Sequence, residues 1–176
     1  FKENNLEIRL DANGAFNKTD ALEKLNRLSE FSIHSIEQPI KTKQWQEMAG
    51  LCESSPIPIA LDEELIGINF NKKNLIETIN PNYLILKPSL LGGFSECEKW
   101  IKLADEKNIK WWATSALESN VGLNAIAQWV YTKNNDLRQG LGTGMLFKNN
   151  IKSQIEILGD TIFLNRNKKW DLSFFK

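Results

Sequence analysis

The sequence repeats one layout along the chain, in which short apolar runs each end in a polar residue. The runs end 26, 25, 25 and 28 residues apart, at Asp11, Glu37, Asp62, Lys87 and Ser115. One strand, one helix and two short loops take about this many residues. The spacing therefore predicts strands that alternate with helices, which is an α/β fold with a parallel sheet. A sixth, weaker run reaches Gly140.

The stretches between the runs have apolar residues at helical spacing. They are 19–30, 42–54, 94–108 and 120–134, with a shorter and weaker candidate at 70–79. Thr19 or Asp20 is the predicted N-cap of the first helix. Ser95 and Glu98 have the spacing of a capping box, which predicts that the fourth helix begins just after Ser95.

Polar residues at strand ends point to a site. In a (β/α) barrel the carboxyl ends of all strands lie on one rim, where active sites are built. We therefore expect Asp11, Glu37 and Asp62 to converge. Three carboxylates need a cation, and their oxygens suit a hard divalent ion such as Mg²⁺. Lys87 would then require an anionic substrate beside it, since a buried cation is costly without a partner.

Each of these residues also has a purely structural interpretation. An Asp after a strand often forms a turn, the acids that begin at Asp62 could be a solvated patch, and Lys87 could extend to solvent. The constant step between them favours a shared site. His34, the one histidine of the sequence, is interpreted as a packed or hydrogen-bonded residue.

Composition excludes some classes of partner. Lys plus Arg and Asp plus Glu number 22 each, so the formal net charge is zero, which argues against nucleic acid. No apolar run approaches the roughly 18 residues of a membrane span. Cys52 and Cys97 are predicted to be reduced thiols, which favours the cytoplasm.

Five motifs taken in order resemble the enolase superfamily, and most closely its o-succinylbenzoate synthases. They are LDANGAF, IEQPI, ALDEEL, LKPSLLGG and TSALESNVGL, and the resemblance extends from about Leu6 to Gly144. It implies a (β/α)7β, TIM-like barrel that carries one Mg²⁺, or Mn²⁺ in its place. It also implies a small anionic carboxylate as substrate.

The resemblance further implies a role for each matching residue. Asp11, Glu37 and Asp62 would be the metal ligands, and Lys87 would stabilise an enediolate from the opposite face of the substrate. Substrate positioning would fall to Asn13, Ser115 and backbone groups at Gly92 and Gly140, and supporting acids would be Glu63 and Glu118.

The implied reaction is a syn dehydration in menaquinone biosynthesis. The substrate SHCHC (2-succinyl-6-hydroxy-2,4-cyclohexadiene-1-carboxylate) would lose water and give o-succinylbenzoate by way of an enediolate. Such sites use electrostatic groups placed for charge that develops only when the proton is removed.

The sequence departs from the family before Asp11. The family carries a Lys-x-Lys pair there, whose second lysine is the general base, whereas here only Lys2 precedes Asp11. We therefore expect a C-terminal part of a longer synthase, inactive by itself. Residues 1–145 would be an incomplete barrel of about six βα units, without the N-terminal capping domain and first strands. Residues 146–176 would return to pack on that cap.

Two other functions stay open at this point. One is an N-acylamino-acid racemase, dipeptide epimerase or cycloisomerase of the same superfamily, although KPSLLGG and SALES favour the synthase. The other is a non-catalytic barrel portion whose open strand edges bind a partner or a second copy of the chain.

Overall fold

The computed structural model describes residues 6–175. The strands are β1 (Arg9–Asp11), β2 (Ser35–Glu37), β3 (Ile59–Leu61), β4 (Tyr83–Leu86), β5 (Lys110–Ala113), β6 (Ile155–Leu158) and β7 (Thr161–Leu164). The α-helices are α1 (Ala21–Leu28), α2 (Trp45–Ser54), α3 (Lys72–Ile79), α4 (Pro88–Leu91), α5 (Phe94–Glu106) and α6 (Asn120–Tyr131). Short 3-10 helices occupy Ser29–Phe31, Glu63–Leu65, Gly142–Met145 and Leu172–Phe175. Within the described range, every helix falls short of the length and apolarity needed to cross a bilayer.

The first five strands form one sheet in the order β1-β2-β3-β4-β5. The pairings of β1 with β2, β2 with β3 and β3 with β4 are parallel. β3 is buried along its whole length, as is typical of a strand in a parallel sheet that is covered on both faces. The alternation of strands and helices that the sequence predicted is confirmed.

The chain divides into two compact units. The first contains the described residues up to Ile85 together with Glu98–Trp111. Its helices bury apolar side chains, among them Leu25 of α1, Met48 of α2 and Leu75 of α3. Leu22, which precedes Leu25 by three residues and so has helical spacing with it, is 37% exposed and lies outside the buried face of α1.

The second unit contains Leu86–Cys97 and the described residues from Trp112 onward. α6 buries Leu123, Ile126 and Val130 on one face, as its helical spacing predicted. β6 and β7 pair as an antiparallel hairpin, which the sequence did not predict.

Two local predictions are wrong. The sixth apolar run forms an isolated bridge between Thr114 and Gly140 instead of a strand, and the chain then turns into the 3-10 helix Gly142–Met145. Glycines in the run offer no side chains to pack, which weakens a strand. The predicted capping box also fails, because α5 begins at Phe94 and Ser95 lies inside it.

Candidate active site

Two of the predicted carboxylates leave neighbouring strands at the same position. Asp11 ends β1 and Glu37 ends β2, and the two residues are in register. The amide of Ala12 donates to the carbonyl of Glu37 at 3.1 Å, which continues the pairing past the strand ends. Residues in register on paired strands lie about 4.8 Å apart and point to the same side of the sheet. Asp11 is exposed and Glu37 is half-buried.

The third carboxylate lies directly after β3. Asp62 precedes the 3-10 helix Glu63–Leu65 and is buried, with 1% of its surface exposed. It comes two residues after Ala60, the register partner of Glu37. All three carboxylates therefore sit at the carboxyl ends of adjacent parallel strands.

Asp11 also takes part in a tight turn. Its Oδ1 accepts a hydrogen bond of 2.9 Å from the amide of Asn13, as in an Asx turn. Asn13 has φ +45° and Gly14 has φ +69°, and a Cβ at Gly14 would lie 3.1 Å from the Cα of Lys41. The turn explains the glycine and leaves Asn13 exposed on the same loop as Asp11.

The chemistry of these donors fits a hard divalent cation, although their side chains do not enclose one. Among residues 6–175, no three side chains of His, Cys, Asp or Glu are grouped closely enough to hold a metal ion. Like charges repel each other, so carboxylates converge only around a cation. One buried oxygen, Oε2 of Glu63, has no hydrogen-bond partner among the described residues. Such an acceptor is expected to meet a donor or a cation.

Lys87 lies between the end of β4 and the start of α4. It is half-buried, and its carbonyl accepts hydrogen bonds from the amides of Leu90 at 2.9 Å and Leu91 at 3.0 Å. Pro88 occupies the first position of α4, where a missing N–H costs nothing. The backbone that carries Lys87 is therefore held by the turn that follows it.

Ser115 and Glu118 belong to one hydrogen-bonded cluster in the second unit. The Ser115 hydroxyl donates to Oε2 of Glu118 at 2.5 Å, and the Ser89 hydroxyl donates to Oε1 at 2.6 Å. Thr143 in turn donates to Ser115 at 2.5 Å. The hydroxyl hydrogen of Ser115 is therefore engaged with Glu118, and a substrate would have to compete for it.

The same cluster sets the ionisation of Glu118. Burial acts to raise the pKa of its carboxyl, but the hydrogen bonds from Ser115 and Ser89, together with backbone hydrogen bonds at Glu118 and Ala116, outweigh burial and hold the pKa below its ordinary value. The carboxylate is thus kept charged, which suits an acid that orients hydroxyl groups.

The two glycines predicted to position substrate have their amides engaged. The amide of Gly92 donates to the carbonyl of Pro88, and the amide of Gly140 donates to the carbonyl of Ala113 at 2.8 Å. The carbonyl of Gly140 accepts from the amide of Ser115 at 3.1 Å. Both glycines shape the backbone near the candidate residues, and a role in substrate binding stays a prediction for each.

Sequence reasoning missed several polar residues of these clusters. They are Ser89 and Thr143 beside Ser115, and also Gln38 and Glu64, whose side chains hydrogen-bond to each other at 3.2 Å. Gln38 carried a usable signal, since it follows Glu37 directly at the end of a buried strand. Ser89 and Thr143 carried none, because they reach their partners across 29 and 28 residues of sequence.

Comparison with known proteins identifies relatives over most of the chain. Residues 1–158 match the family described as enolase C-terminal domain-like. The o-succinylbenzoate synthase of Desulfotalea psychrophila is 54% identical over 160 residues, which cover 90% of this chain and 44% of that protein. The N-succinylamino acid racemase of Thermus thermophilus is 35% identical over 115 residues, which cover 65% of this chain and 31% of that protein.

A solved structure agrees with the sequence match. The crystal structure of MenC from Desulfotalea psychrophila superposes with a TM-score of 0.89 and 53% identity, covering 92% of this chain and 46% of that one. The chain thus spans less than half the length of each of these relatives.

Proposed function

This chain belongs to the family of enolase C-terminal domain-like proteins, and on that premise we propose that it provides part of the active site of an o-succinylbenzoate synthase. The α/β fold class and the superfamily resemblance predicted from the sequence are confirmed. The observation that carries the proposal is the 54% identity over 160 residues to a protein of that name. The reaction is the loss of water from SHCHC to give o-succinylbenzoate.

Asp11, Glu37 and Asp62 would hold Mg²⁺, or Mn²⁺ in its place. What supports this is their position at the ends of three adjacent parallel strands and the preference of such ions for carboxylate oxygens. The bound cation would supply charge that stabilises an anionic carboxylate substrate. The unsatisfied buried oxygen of Glu63 supports a role for this residue behind the ligands.

Lys87 would stabilise the enediolate through its ammonium charge. Its place at the end of β4 supports the role, because active-site residues in this fold class come from the carboxyl ends of strands. The proton at the α-carbon would pass to a general base on a strand before Asp11, as the resemblance implies. Hydroxide then leaves and the ring becomes aromatic.

Asn13, Gly92, Ser115 and Gly140 would position the substrate, with Glu118 as a supporting acid. The hydrogen bonds of Ser115 and Ser89 to Glu118 support that last role. We also propose a cytoplasmic location and a domain boundary near residue 145.

The test uses the protein at its full natural length. Loss of SHCHC absorbance is followed with Mg²⁺ and with EDTA, and Mn²⁺ affinity is measured by titration. Glu37→Gln should weaken Mn²⁺ binding sharply, because a ligand charge is lost. Lys87→Ala should leave Mn²⁺ binding unchanged and lower kcat by at least about 10²–10³-fold, as expected when one stabilising donor is removed.

Matched controls separate these roles from general damage. Glu53→Gln on α2 and Lys102→Ala on α5 make the same chemical changes at exposed positions, and both should behave as wild type. Normal turnover in Lys87→Ala would refute the proposed role of Lys87. Turnover that persists in EDTA would refute the proposed requirement for a divalent cation.

A second candidate function is racemisation of an N-succinylamino acid. The 35% identity to the Thermus thermophilus racemase favours it. Exchange of the α-proton of an N-succinylamino acid in D₂O would detect it, and the same variants would then be tested on that substrate. No reaction with either substrate would leave a non-catalytic binding role.

A further inference from the structure

We propose that Gln38 and Glu64 form a buried clamp that positions Glu37 and Asp62, and that neither clamp residue is itself a metal ligand. The proposal rests on the proposed function, since that function assigns Glu37 and Asp62 to the metal. Gln38 is 1% exposed and Glu64 is 3% exposed. An amide and a carboxylate buried this deeply persist only when their polar atoms find partners.

Gln38 uses its whole side-chain amide. Nε2 donates to the carbonyl of Ile40 at 3.0 Å and to Oε2 of Glu64 at 3.2 Å. Oε1 accepts from the amides of Asp62 at 3.4 Å and Glu64 at 3.2 Å. A flipped amide would turn its NH₂ group toward those two backbone donors, so the network fixes its orientation. The residue next to Glu37 thereby holds the backbone of Asp62.

Glu64 completes the clamp from the other side. Its Oε1 accepts from the amide of Lys43 and from Nε1 of Trp45, each at 2.8 Å. Hydrogen bonds to a charged acceptor are about twice as strong as neutral ones, which offsets the burial of the carboxylate. The loop between β2 and α2 therefore folds around an acid that belongs to the loop after β3.

The backbone of Gln38 adds two further ties. Its amide donates to the carbonyl of Ala60 at 2.9 Å, and its carbonyl accepts from the amide of Gly14 at 2.7 Å. Gln38 also has φ +38°, a left-handed conformation that a side chain rarely adopts without such restraint. One residue thus connects the loops that follow β1, β2 and β3, which are the loops next to the three proposed ligands.

The adjacent acids Glu63 and Glu64 differ in their hydrogen bonding. Both oxygens of Glu64 accept hydrogen bonds from the clamp and its neighbours, whereas Oε2 of Glu63 is buried without a partner among the described residues. Glu64 therefore acts as a positioning residue through Gln38, which accepts from the amide of Asp62 and directly follows Glu37 in the chain. Loss of such outer contacts lowers metal affinity by about 10–100-fold.

The first experiment measures Mn²⁺ affinity in the full-length protein. Glu64→Gln keeps the shape of the side chain but sets its new NH₂ group against one of the N–H donors around Glu64. The Mn²⁺ dissociation constant of this variant should therefore rise about 10–100-fold. The swapped pair Gln38→Glu with Glu64→Gln restores a donor–acceptor contact between the two side chains and should recover part of the loss. The recovery is partial because the carboxylate introduced by Gln38→Glu would also face the carbonyl of Ile40.

Two controls distinguish positioning from stability. Glu53→Gln changes an exposed acid of α2 and should bind Mn²⁺ as wild type. Met48→Ala removes a fully buried side chain and should lower the melting temperature without changing Mn²⁺ affinity. Affinity in Glu64→Gln equal to wild type, beside a weakened Glu37→Gln, would overturn the clamp and leave the metal site standing.

A second measurement needs no metal. In Gln38→Leu the amides of Asp62 and Glu64 lose their acceptor, so their hydrogen exchange should accelerate. The amide of Ile36, which donates to Pro58 at 3.0 Å, should be unaffected. Unchanged exchange at both amides would refute the clamp. If the wild-type protein binds no Mn²⁺, the proposed function fails and this exchange comparison alone decides whether the clamp exists.

Discussion

Replacing Gly140 by Ala should destabilise the protein through one steric contact. An added Cβ would lie 2.5 Å from Cγ2 of Thr114 and 3.1 Å from its Cβ. Carbon atoms prefer about 3.5–4.0 Å, so the methyl group would have to move by about 1 Å. The Gly140 amide donates to the carbonyl of Ala113 and the Gly140 carbonyl accepts from the amide of Ser115, and these two hydrogen bonds, on either side of Thr114, resist that movement. Overpacking of this kind costs about 1–3 kcal/mol.

Urea unfolding followed by tryptophan fluorescence measures the effect in the full-length protein. Gly140→Ala should lower the free energy of unfolding by about 2 kcal/mol. Gly142→Ala is the control, because a Cβ there meets nothing within 4 Å, and it should be neutral or gain about 0.4–1 kcal/mol.

A compensating substitution tests the cause. Thr114→Ser removes Cγ2, so Gly140→Ala in that background should lose only a few tenths of a kcal/mol, about the cost of relaxing a 3.1 Å contact. Equal stability of Gly140→Ala and Gly142→Ala would refute the steric argument. A full loss that persists beside Thr114→Ser would refute it too.

Three further predictions concern ionisation. The pKa of Glu118 is lowered on folding, so its ionised carboxylate stabilises the folded state at pH values above 4.5, its ordinary pKa, and this stabilisation is lost as pH falls through the folded pKa. In urea unfolding, the difference in stability between wild type and Glu118→Gln should therefore shrink in acid. Burial lowers the pKa of His34, so the contribution of His34 to folding stability is complete above pH 6.5 and declines as pH falls below that value. The melting temperature should therefore fall less steeply with decreasing pH in His34→Gln than in wild type. Burial raises the pKa of the Cys52 thiol to about 12, so the native protein should react slowly with a thiol reagent at about pH 8, and fast reaction of Cys52 in a peptide map would contradict this.

The parallel sheet was predictable because its signal is local and periodic. Each strand of the sheet is a short apolar run, and each connecting helix repeats its apolar residues at helical spacing. The buried side chains Cys97, Trp100 and Ala104 of α5 follow directly from that spacing. Neither cysteine forms a disulfide within the described range.

The polar contacts were not predictable by the same means. Gln38 meets Glu64 across 26 residues of sequence, and no periodicity encodes which of three consecutive acids it selects. Glu64, and not its neighbours, meets Gln38 because these acids lie at or just before the 3-10 helix Glu63–Leu65, in which successive side chains point about 120° apart. The weak apolar run that reaches Gly140 does not form a strand, because its glycines have no side chains to pack.

The turn after Asp11 has a chemical consequence for the ageing of the protein. Asn followed by Gly is prone to deamidation, because the glycine nitrogen can attack the asparagine side-chain amide, which expels ammonia and closes a succinimide. Here the amide of Gly14 is engaged with the carbonyl of Gln38 at 2.7 Å, which withholds that nitrogen while the protein is folded. The reaction therefore requires local opening of this bond, and hydrolysis of the succinimide to isoaspartate would then insert an extra methylene into the backbone two residues from Asp11. Storage conditions that open this hydrogen bond more often should therefore shorten the lifetime of the loop.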